Sequence, residues 1–262
     1  MTADADFPEY DEIFRHRSEA YHRAMLGVPH ARDAEFGAVV RRADVRPGMT
    51  VVDFPSGGGY LRSHMPAGAD LICLETCEQF HGASAEAPFD AAGGPEVAVR
   101  SAIVADGVWP VAEASADRVL SVAGLHHLAD KRPFFREAAR ALRPGGRFVI
   151  ADVEAGSPAD RFLNVFVDRY CPMGHKGLFL DADATAAEMR GCGLRAETVE
   201  PDRYDWLFPD EAAAASFCRG LFGLDLADDR QVLEGLAEFA PLTVSADGVR
   251  MPWGLLFFSG RA

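Results

Sequence analysis

The amino-acid sequence predicts a doubly wound α/β fold, in which parallel strands of one sheet alternate with helices on both of its faces. Short apolar segments alternate along the chain with segments of helical periodicity. One of them, Leu71–Leu74, is apolar throughout, as expected for a parallel strand covered on both faces. Right-handed crossovers would bring the C-terminal ends of the strands to one rim, where we expect ligands to bind.

The N-terminal part of the chain predicts helices that lie outside the sheet. Residues 7–43 show two helical stretches, separated by a turn at Pro29. The first strand covers residues 51–54 and follows a Pro-Gly turn signal. A helix is expected at residues 57–65, directly after a run of glycines.

The remaining strands complete a sheet of seven. They are expected at residues 71–74, 97–104, 118–122, 147–151, 195–199 and 249–259. Helices are expected at residues 133–142, 182–191 and 209–239, and a loop rich in Ala, Gly and Pro at 82–95. The last strand is predicted to be antiparallel, because no helical crossover of its own precedes it.

Composition limits the partners and the location of the protein. The 262 residues include 26 Lys and Arg against 40 Asp and Glu, which gives a formal net charge of -14. Nucleic acid would be repelled, so it is not an expected partner. The acidic first residues lack the apolar core of a signal peptide, and no run approaches the roughly 20 apolar residues of a membrane span. We therefore expect a cytoplasmic protein with no membrane segment.

The five cysteines are scattered, and only Cys73 and Cys77 lie close together. Their spacing predicts neither a disulfide framework nor a zinc site. Buried, reduced thiols are the expected state, and no metal is expected.

A glycine turn after the first strand is the clearest ligand signal. Gly57, Gly58 and Gly59 have no Cβ, so the backbone can take a positive φ and a ligand can lie directly on the peptide groups. The turn is not a Walker loop, because no Gly-Lys-Ser/Thr follows. It is also an imperfect dinucleotide fingerprint, because Pro55 stands where the first glycine belongs.

Five segments, one of which contains the glycine turn, carry a family resemblance. They are Val52–Gly59, Glu75 at the end of the second strand, Asp106-Gly107 after the third, and the pair Ala116–Leu128 and Phe134–Gly146. Together they resemble class I S-adenosylmethionine (SAM)-dependent methyltransferases, including small-molecule and quinone-biosynthesis C-methyltransferases. The resemblance covers roughly residues 45–152. It implies a Rossmann-like, mostly parallel sheet, with N-terminal helices and helical insertions forming a lid.

The resemblance also implies roles for individual residues. Glu75 would accept hydrogen bonds from the ribose hydroxyls, Asp106 from the adenine amino group, and Gly107 would offer a backbone amide. Without these motifs, Glu75 would be interpreted as an exposed strand-end carboxylate and Asp106 as a turn residue. The full predicted cofactor set is Arg17, Tyr21, Asp53, Pro55, Gly57, Gly59, Glu75, Asp106, Gly107 and Ser121.

Pro55 departs from the family pattern. Proline removes a backbone donor and fixes φ near -65° beside the methionine end of the cofactor. Gly57 and Gly59 remain, so the pocket is retained, but the usual position of the amino-acid tail is in question. Glu75 is expected at a strand tip, outside the core.

Three residues are candidates for catalysis. His126 could take a proton from an acceptor, although the alternative is that it and His127 only pack in the turn after the fourth strand. Tyr170 and His175 lie after the fifth strand, where this family commonly builds its acceptor pocket. Residues 153–180 and 209–239 would enclose a small, partly apolar acceptor, or alternatively form a dimer interface, so a monomer or a homodimer is expected.

The chain is therefore predicted to be one domain, residues 1–262, with a helical cap (1–44), a SAM-binding core (45–152) and an acceptor-side lid (153–262). The leading function is methyl transfer from SAM to an O, N or C atom of a small molecule, with S-adenosylhomocysteine as product. One alternative is a SAM-consuming enzyme that does not methylate, for instance by cyclisation, and Pro55 keeps it open. The other is a non-catalytic SAM-fold binding protein.

Overall fold

The computed structural model describes residues 10–86 and 97–262, with side chains described outside 83–86. Most of the predicted loop at 82–95 lies outside the described residues, and its beginning is helical. The helices are α1 (Tyr10–Gly27), α2 (Asp33–Ala43), α3 (Glu78–Glu86), α4 (Arg132–Ala141), α5 (Pro158–Arg161), α6 (Asp168–Tyr170), α7 (Ala182–Gly191), α8 (Glu211–Phe222) and α9 (Asp229–Phe239). A π-helix, Phe162–Val167, joins α5 to α6.

The strands form one sheet. They are β1 (Thr50–Asp53), β2 (Asp70–Glu75), β3 (Ala98–Ile103), β4 (Ala116–Val122), β5 (Leu142–Asp152), β6 (Arg195–Phe208), β7 (Thr243–Ser245) and β8 (Gly248–Arg261). The order is β3-β2-β1-β4-β5-β8-β6, with β8 antiparallel to both neighbours. The predicted doubly wound, mostly parallel sheet with an antiparallel last strand is confirmed, and the short β7 is an added strand that pairs with β8.

Both faces of the sheet bury apolar side chains, because successive residues of a strand point to opposite faces. Val51, Leu71 and Leu120 pack into the core under α1, α2 and α8. Their neighbours Val52 and Val119 pack into a second core that contains residues of α4 and α7. This alternation explains why the Leu71–Leu74 run of β2 is apolar throughout.

Two elements differ from the sequence prediction. The expected helix at 57–65 is a short 3-10 helix, Tyr60–His64, because the glycines before it form a turn with positive φ. The sixth strand continues from Val199 to Phe208, since Trp206 and Phe208 alternate with exposed neighbours and are buried. The extension of β6 pairs with β8 along its full length.

A buried ion pair joins the N-terminal cap to the far edge of the sheet. Arg32 donates to both carboxylate oxygens of Glu35, and Trp206 Nε1 donates to Glu35 at 2.7 Å. Arg32 also donates to Tyr21 Oη at 2.7 Å. Glu35 is fully buried, so these donors satisfy a carboxylate that water does not reach.

Among the helices in the described part of the chain, none has both the length and the apolar character that a membrane crossing requires.

Candidate functional site

A cavity lies at the C-terminal rim of the sheet, beneath α1. Its volume is about 80 Å³, well below the roughly 300 Å³ or more of typical ligand pockets. The wall combines the glycine turn, the turn after β4, α1 and the C-terminal half of the chain. A ligand of nucleotide size therefore requires the wall to open, and α1 is the element that covers the rim.

The glycine turn adopts the predicted backbone. Gly57 has φ 52° and Gly59 has φ 71°, both in the left-handed region. A Cβ on Gly58 would lie 2.6 Å from His22 Nδ1, so this position has no room for a side chain. Pro55 lies in the cavity wall and packs against Gly124, in the turn after β4.

Glu75 lies at the end of β2 as predicted, but it is buried, with 1% of its surface exposed, which contradicts the expectation that it lies outside the core. Its carboxylate accepts the N–H groups of Gly57 at 2.8 Å, Thr76 at 2.9 Å and Cys77 at 3.1 Å. Burial nevertheless raises the pKa of Glu75 to about 7. The carboxylate thus holds the glycine turn, and close to neutral pH it is only partly ionised.

The first residue of α1 also contacts this carboxylate. Tyr10 Oη donates to Glu75 Oε2 at 3.1 Å, and the ring of Tyr10 packs against Phe14 and His127. Ribose hydroxyls that bind Glu75 would compete with this phenol. The Tyr10–Glu75 hydrogen bond therefore keeps α1 closed over the glycine turn.

Replacing Tyr10 by Phe is expected to tighten cofactor binding by up to about tenfold. The change removes one competing hydrogen bond, worth about 0.5–1.5 kcal/mol, and keeps the ring contacts. Calorimetric titration with S-adenosylhomocysteine measures the effect. Weaker binding in a folded Tyr10→Phe protein would show that the phenol helps to hold the ligand instead.

Asp53 lies beside this acid at the end of β1. It is buried and lines the cavity. Burial raises its pKa strongly, and the charge of Glu75 adds to the effect. The two neighbouring carboxyl groups therefore resist being ionised together, and a cationic or hydrogen-bond-donating ligand would relieve this repulsion.

His126 is fixed by a fully buried carboxylate. Its Nδ1 lies 2.7 Å from Asp152 Oδ1, and its backbone N–H donates to Asp152 Oδ2 at 3.0 Å. Burial by itself raises the pKa of Asp152, but the contact with His126 outweighs it and the net shift is downward. The Asp152 carboxylate therefore stays ionised and holds the imidazole ring of His126 in one orientation.

His175 is held by the segment after β5. Its Nδ1 lies 3.1 Å from Asn164 Oδ1, and its backbone N–H donates to Asp168 Oδ1 at 2.7 Å. The same Asn164 oxygen accepts the N–H of Gly177 at 2.8 Å. The π-helix and the chain around Gly177 thus fix His175 from two sides.

The two predicted histidines meet a third. The ring centroids of His126, His127 and His175 lie 4.0 to 5.6 Å apart, and their ligand nitrogens all lie within 4.8 Å of one another. Burial lowers the pKa values of His127 and His175, so both rings are neutral. The sequence indicated His126 and His175 and placed His127 beside His126 in the turn after β4, but it did not indicate that Asp152 and Asn164 would orient the rings.

Other predicted residues divide between the cavity wall and its surroundings. Arg17 and Tyr21 line the cavity, and Arg17 donates to the Leu221 carbonyl at 2.9 Å. Asp106 and Gly107 form an exposed turn after β3, outside the wall. Gly59 belongs to the glycine turn but does not line the cavity. Ser121 and Tyr170 also lie outside the wall, since Ser121 is buried within β4 and the ring of Tyr170 packs on Phe166.

A doubly wound sheet with a glycine turn and a buried acid at its C-terminal rim is an architecture that binds nucleotide-like cofactors. In this protein a helical cap covers that rim. Residues 52–150 match the family described as "Methyltransferase domain". The matched residues run from β1 through β5, the part of the chain that builds the glycine turn and the turn after β4. Residues 52–150 therefore form a methyltransferase domain, which confirms the resemblance to class I SAM-dependent methyltransferases at that level. The narrower likeness to quinone-biosynthesis enzymes stays a prediction.

The chain is similar to 27-O-demethylrifamycin SV methyltransferase of Amycolatopsis mediterranei, with 36% identity over 43% of this chain and 41% of the relative. The matched segment thus spans less than half of that protein. Among solved structures, phosphoethanolamine N-methyltransferase 2 of Haemonchus contortus, bound to phosphomonomethylethanolamine and S-adenosylhomocysteine, has a TM-score of 0.61 at 13% identity, over 97% of this chain and 61% of that chain. The YcgJ protein of Bacillus subtilis has a TM-score of 0.58 at 17% identity, over 87% of this chain and 98% of that chain. These two likenesses establish the fold.

Proposed function

We propose that this protein transfers the methyl group of SAM to a hydroxyl oxygen of a small, partly apolar molecule. The observation that carries the proposal is the position of His126, which a buried carboxylate fixes in the wall of the cavity that the glycine turn also lines. The rifamycin-related relative supports oxygen as the methylated atom, because its name describes an acceptor that lacks an O-methyl group.

The cofactor is proposed to lie along the glycine turn. Glu75 accepts from the ribose hydroxyls once Tyr10 has moved, and Gly57 and Gly59 let the backbone approach the ligand. Asp53 faces the ammonium group of the methionine end. The remaining candidates complete the set: Arg17 and Tyr21 from α1, Pro55 beside the methionine end, Ser121 beneath the turn, and Asp106 with Gly107 toward the adenine.

Methyl transfer requires the acceptor oxygen to lie in line with the methyl carbon and the sulfur. The oxygen forms a bond to the methyl carbon while the carbon–sulfur bond breaks, and the electron pair stays on sulfur to give S-adenosylhomocysteine. The hydroxyl proton passes to Nε2 of His126, whose Nδ1 faces Asp152. His126 and His175 are placed to contact the acceptor hydroxyl. Closure of α1 excludes water from the cavity during transfer.

The acceptor is proposed to lie between the segments 153–180 and 209–239. Leu163 and His175 from the first segment and Leu221 and Phe222 from the second line the cavity, which supports this placement. Apolar walls with a few fixed polar groups suit a small organic molecule. The division into cap, core and lid, the cytoplasmic location and the oligomeric state stay predictions.

Incubation with SAM and a panel of hydroxylated small molecules is expected to yield S-adenosylhomocysteine and a product one methyl group heavier. His175→Ala is expected to reduce turnover at least tenfold, because it removes an acceptor contact, and to leave cofactor affinity unchanged. Chromatography with mass detection measures turnover, and calorimetry measures affinity. His16→Ala, an exposed histidine of α1, is the control that keeps full turnover.

The products also separate the alternatives. Methylthioadenosine in place of S-adenosylhomocysteine would establish intramolecular consumption of SAM. Bound SAM with no turnover on any acceptor would favour a non-catalytic protein. Full turnover in His175→Ala would remove this residue from the acceptor site.

A further inference from the structure

We propose that His126, His127 and His175 together bind one divalent transition-metal ion, with Zn²⁺ as the expected ion, and that this ion holds the acceptor hydroxyl. The ion site stands on its own geometry. Its catalytic use rests on the proposed function, because it explains how the hydroxyl of that reaction is activated.

The three imidazoles are close enough to share one ion. Their ligand nitrogens lie within 4.8 Å of one another. A tetrahedral zinc site has Zn–N bonds of about 2.0–2.1 Å and therefore nitrogens about 3.3 Å apart, so the rings must close by about 1.5 Å at most. Within residues 10–86 and 97–262 the His127 imidazole makes no hydrogen bond, so it is the ring that can turn without breaking one.

The hydrogen bonds of the other two rings occupy one nitrogen of each ring and leave the other nitrogen free to bind an ion. Oxygens of Asp152 and Asn164 accept at Nδ1 of His126 and His175, at 2.7 and 3.1 Å. Each Nδ1 is then the protonated nitrogen, and Nε2 keeps its lone pair. A carboxylate or amide oxygen behind a histidine is the arrangement that orients metal-binding imidazoles and increases their basicity.

The charges around the cluster have both signs. The ionised carboxylate of Asp152 favours a cation, since it is in direct contact with His126 and has no exposed surface. Arg17, which lines the same cavity, and Lys131 place positive charge near His127 and oppose a cation. An ion would therefore be held mainly by its bonds to the imidazole nitrogens, assisted by the charge of Asp152. Three imidazole ligands without thiolates suit Zn²⁺ and the neighbouring ions Co²⁺ and Ni²⁺ better than Mg²⁺ or Ca²⁺.

Three protein ligands leave a fourth position open for the acceptor. A hydroxyl oxygen bound there becomes more acidic and releases its proton to water before α1 closes, since the free ring nitrogen of His126 is then bound to the ion. The oxygen lone pair then forms the bond to the methyl carbon, the carbon–sulfur bond breaks, and its electron pair remains on sulfur. The ion is neither oxidised nor consumed.

The test uses the full-length protein after removal of metal with EDTA. Calorimetric titration with Zn²⁺ is expected to show one equivalent bound, and titration with Co²⁺ to give the intense visible absorption of a four-coordinate ion. His127→Gln and His175→Gln are expected to weaken binding at least 100-fold. Asp152→Asn is expected to weaken it about 10- to 100-fold, and the exposed His16→Ala to leave it unchanged.

Two binding results would overturn the proposal. One is folded wild-type protein that binds neither ion at micromolar concentration. The other is unchanged binding in both His127→Gln and His175→Gln. These titrations contain no SAM and no acceptor, so their outcome does not depend on whether methyl transfer is found. Where a methylated product forms, equal turnover by the EDTA-treated and the Zn²⁺-loaded protein would overturn the role of the ion in catalysis.

Discussion

Cofactor affinity is expected to fall at least tenfold in Glu75→Gln. The carboxylate offers the ribose hydroxyls charge-assisted hydrogen bonds of about 1.5–3 kcal/mol each, whereas an amide oxygen offers neutral ones of about 0.5–1.5 kcal/mol. Gln is a better test substitution than Ala, because Glu75 is buried and accepts the N–H of Gly57. Ala would leave a cavity and remove that acceptor. Calorimetry with SAM and S-adenosylhomocysteine measures the change.

The matched control is Glu78→Gln. Glu78 is an exposed acid at the start of α3, so this variant should bind the cofactor with wild-type affinity.

Because the pKa of Glu75 is about 7 in the ligand-free protein, the cofactor affinity of the wild type should rise about tenfold from about pH 6 to about pH 8 as the carboxylate ionises. This pH dependence should disappear in Glu75→Gln. Equal affinity in the variant and the wild type would exclude Glu75 from ribose binding.

Glu35→Ala is expected to lower the free energy of unfolding by about 3–5 kcal/mol. The change leaves the guanidinium of Arg32 buried without its carboxylate, and it also removes the acceptor of Trp206 Nε1. Loss of one partner of a buried ion pair is far more destabilising than loss of an exposed pair. Urea denaturation followed by circular dichroism measures the difference.

Glu19→Ala provides the comparison for that experiment. Glu19 pairs with Arg23 on the exposed side of α1, where the two side chains have 81% and 72% of their surface exposed. Substitutions of this kind usually change stability by about 0.5 kcal/mol or less. A Glu35→Ala protein that is no less stable than Glu19→Ala would show that the Arg32–Glu35 pair does not anchor the cap.

The central strands were predictable because each is a short apolar segment covered on both faces. Val52 and Val119 are examples. Both point to the face of the sheet that α4 and α7 cover, and both are buried there. The second half of β6 was missed, because Pro201 interrupts the strand pattern before Trp206 and Phe208. Its pairing with β8 depends on residues about fifty positions away, which local pattern does not reveal.

The site was predictable where its residues belong to one motif. Gly57 and Gly59 have the positive φ that the glycine turn implied. The contacts of Tyr10 with Glu75 and of Asp152 with His126 join distant parts of the chain, so no spacing predicts them. Glu75 is buried beneath Tyr10 of α1 and the turn at Gly57, which only the folded chain brings to it.

The contact between Pro55 and Gly124 restricts which sequences can build this rim. A Cβ on Gly124 would lie 2.3 Å from Pro55 Cγ, although the φ of Gly124, -134°, is accessible to any residue. The proline ring, and not the backbone, therefore excludes a side chain at position 124. Among homologues that keep this geometry the two positions must vary together: proline at 55 requires glycine at 124, and a larger residue at 124 is compatible only with a smaller one at 55.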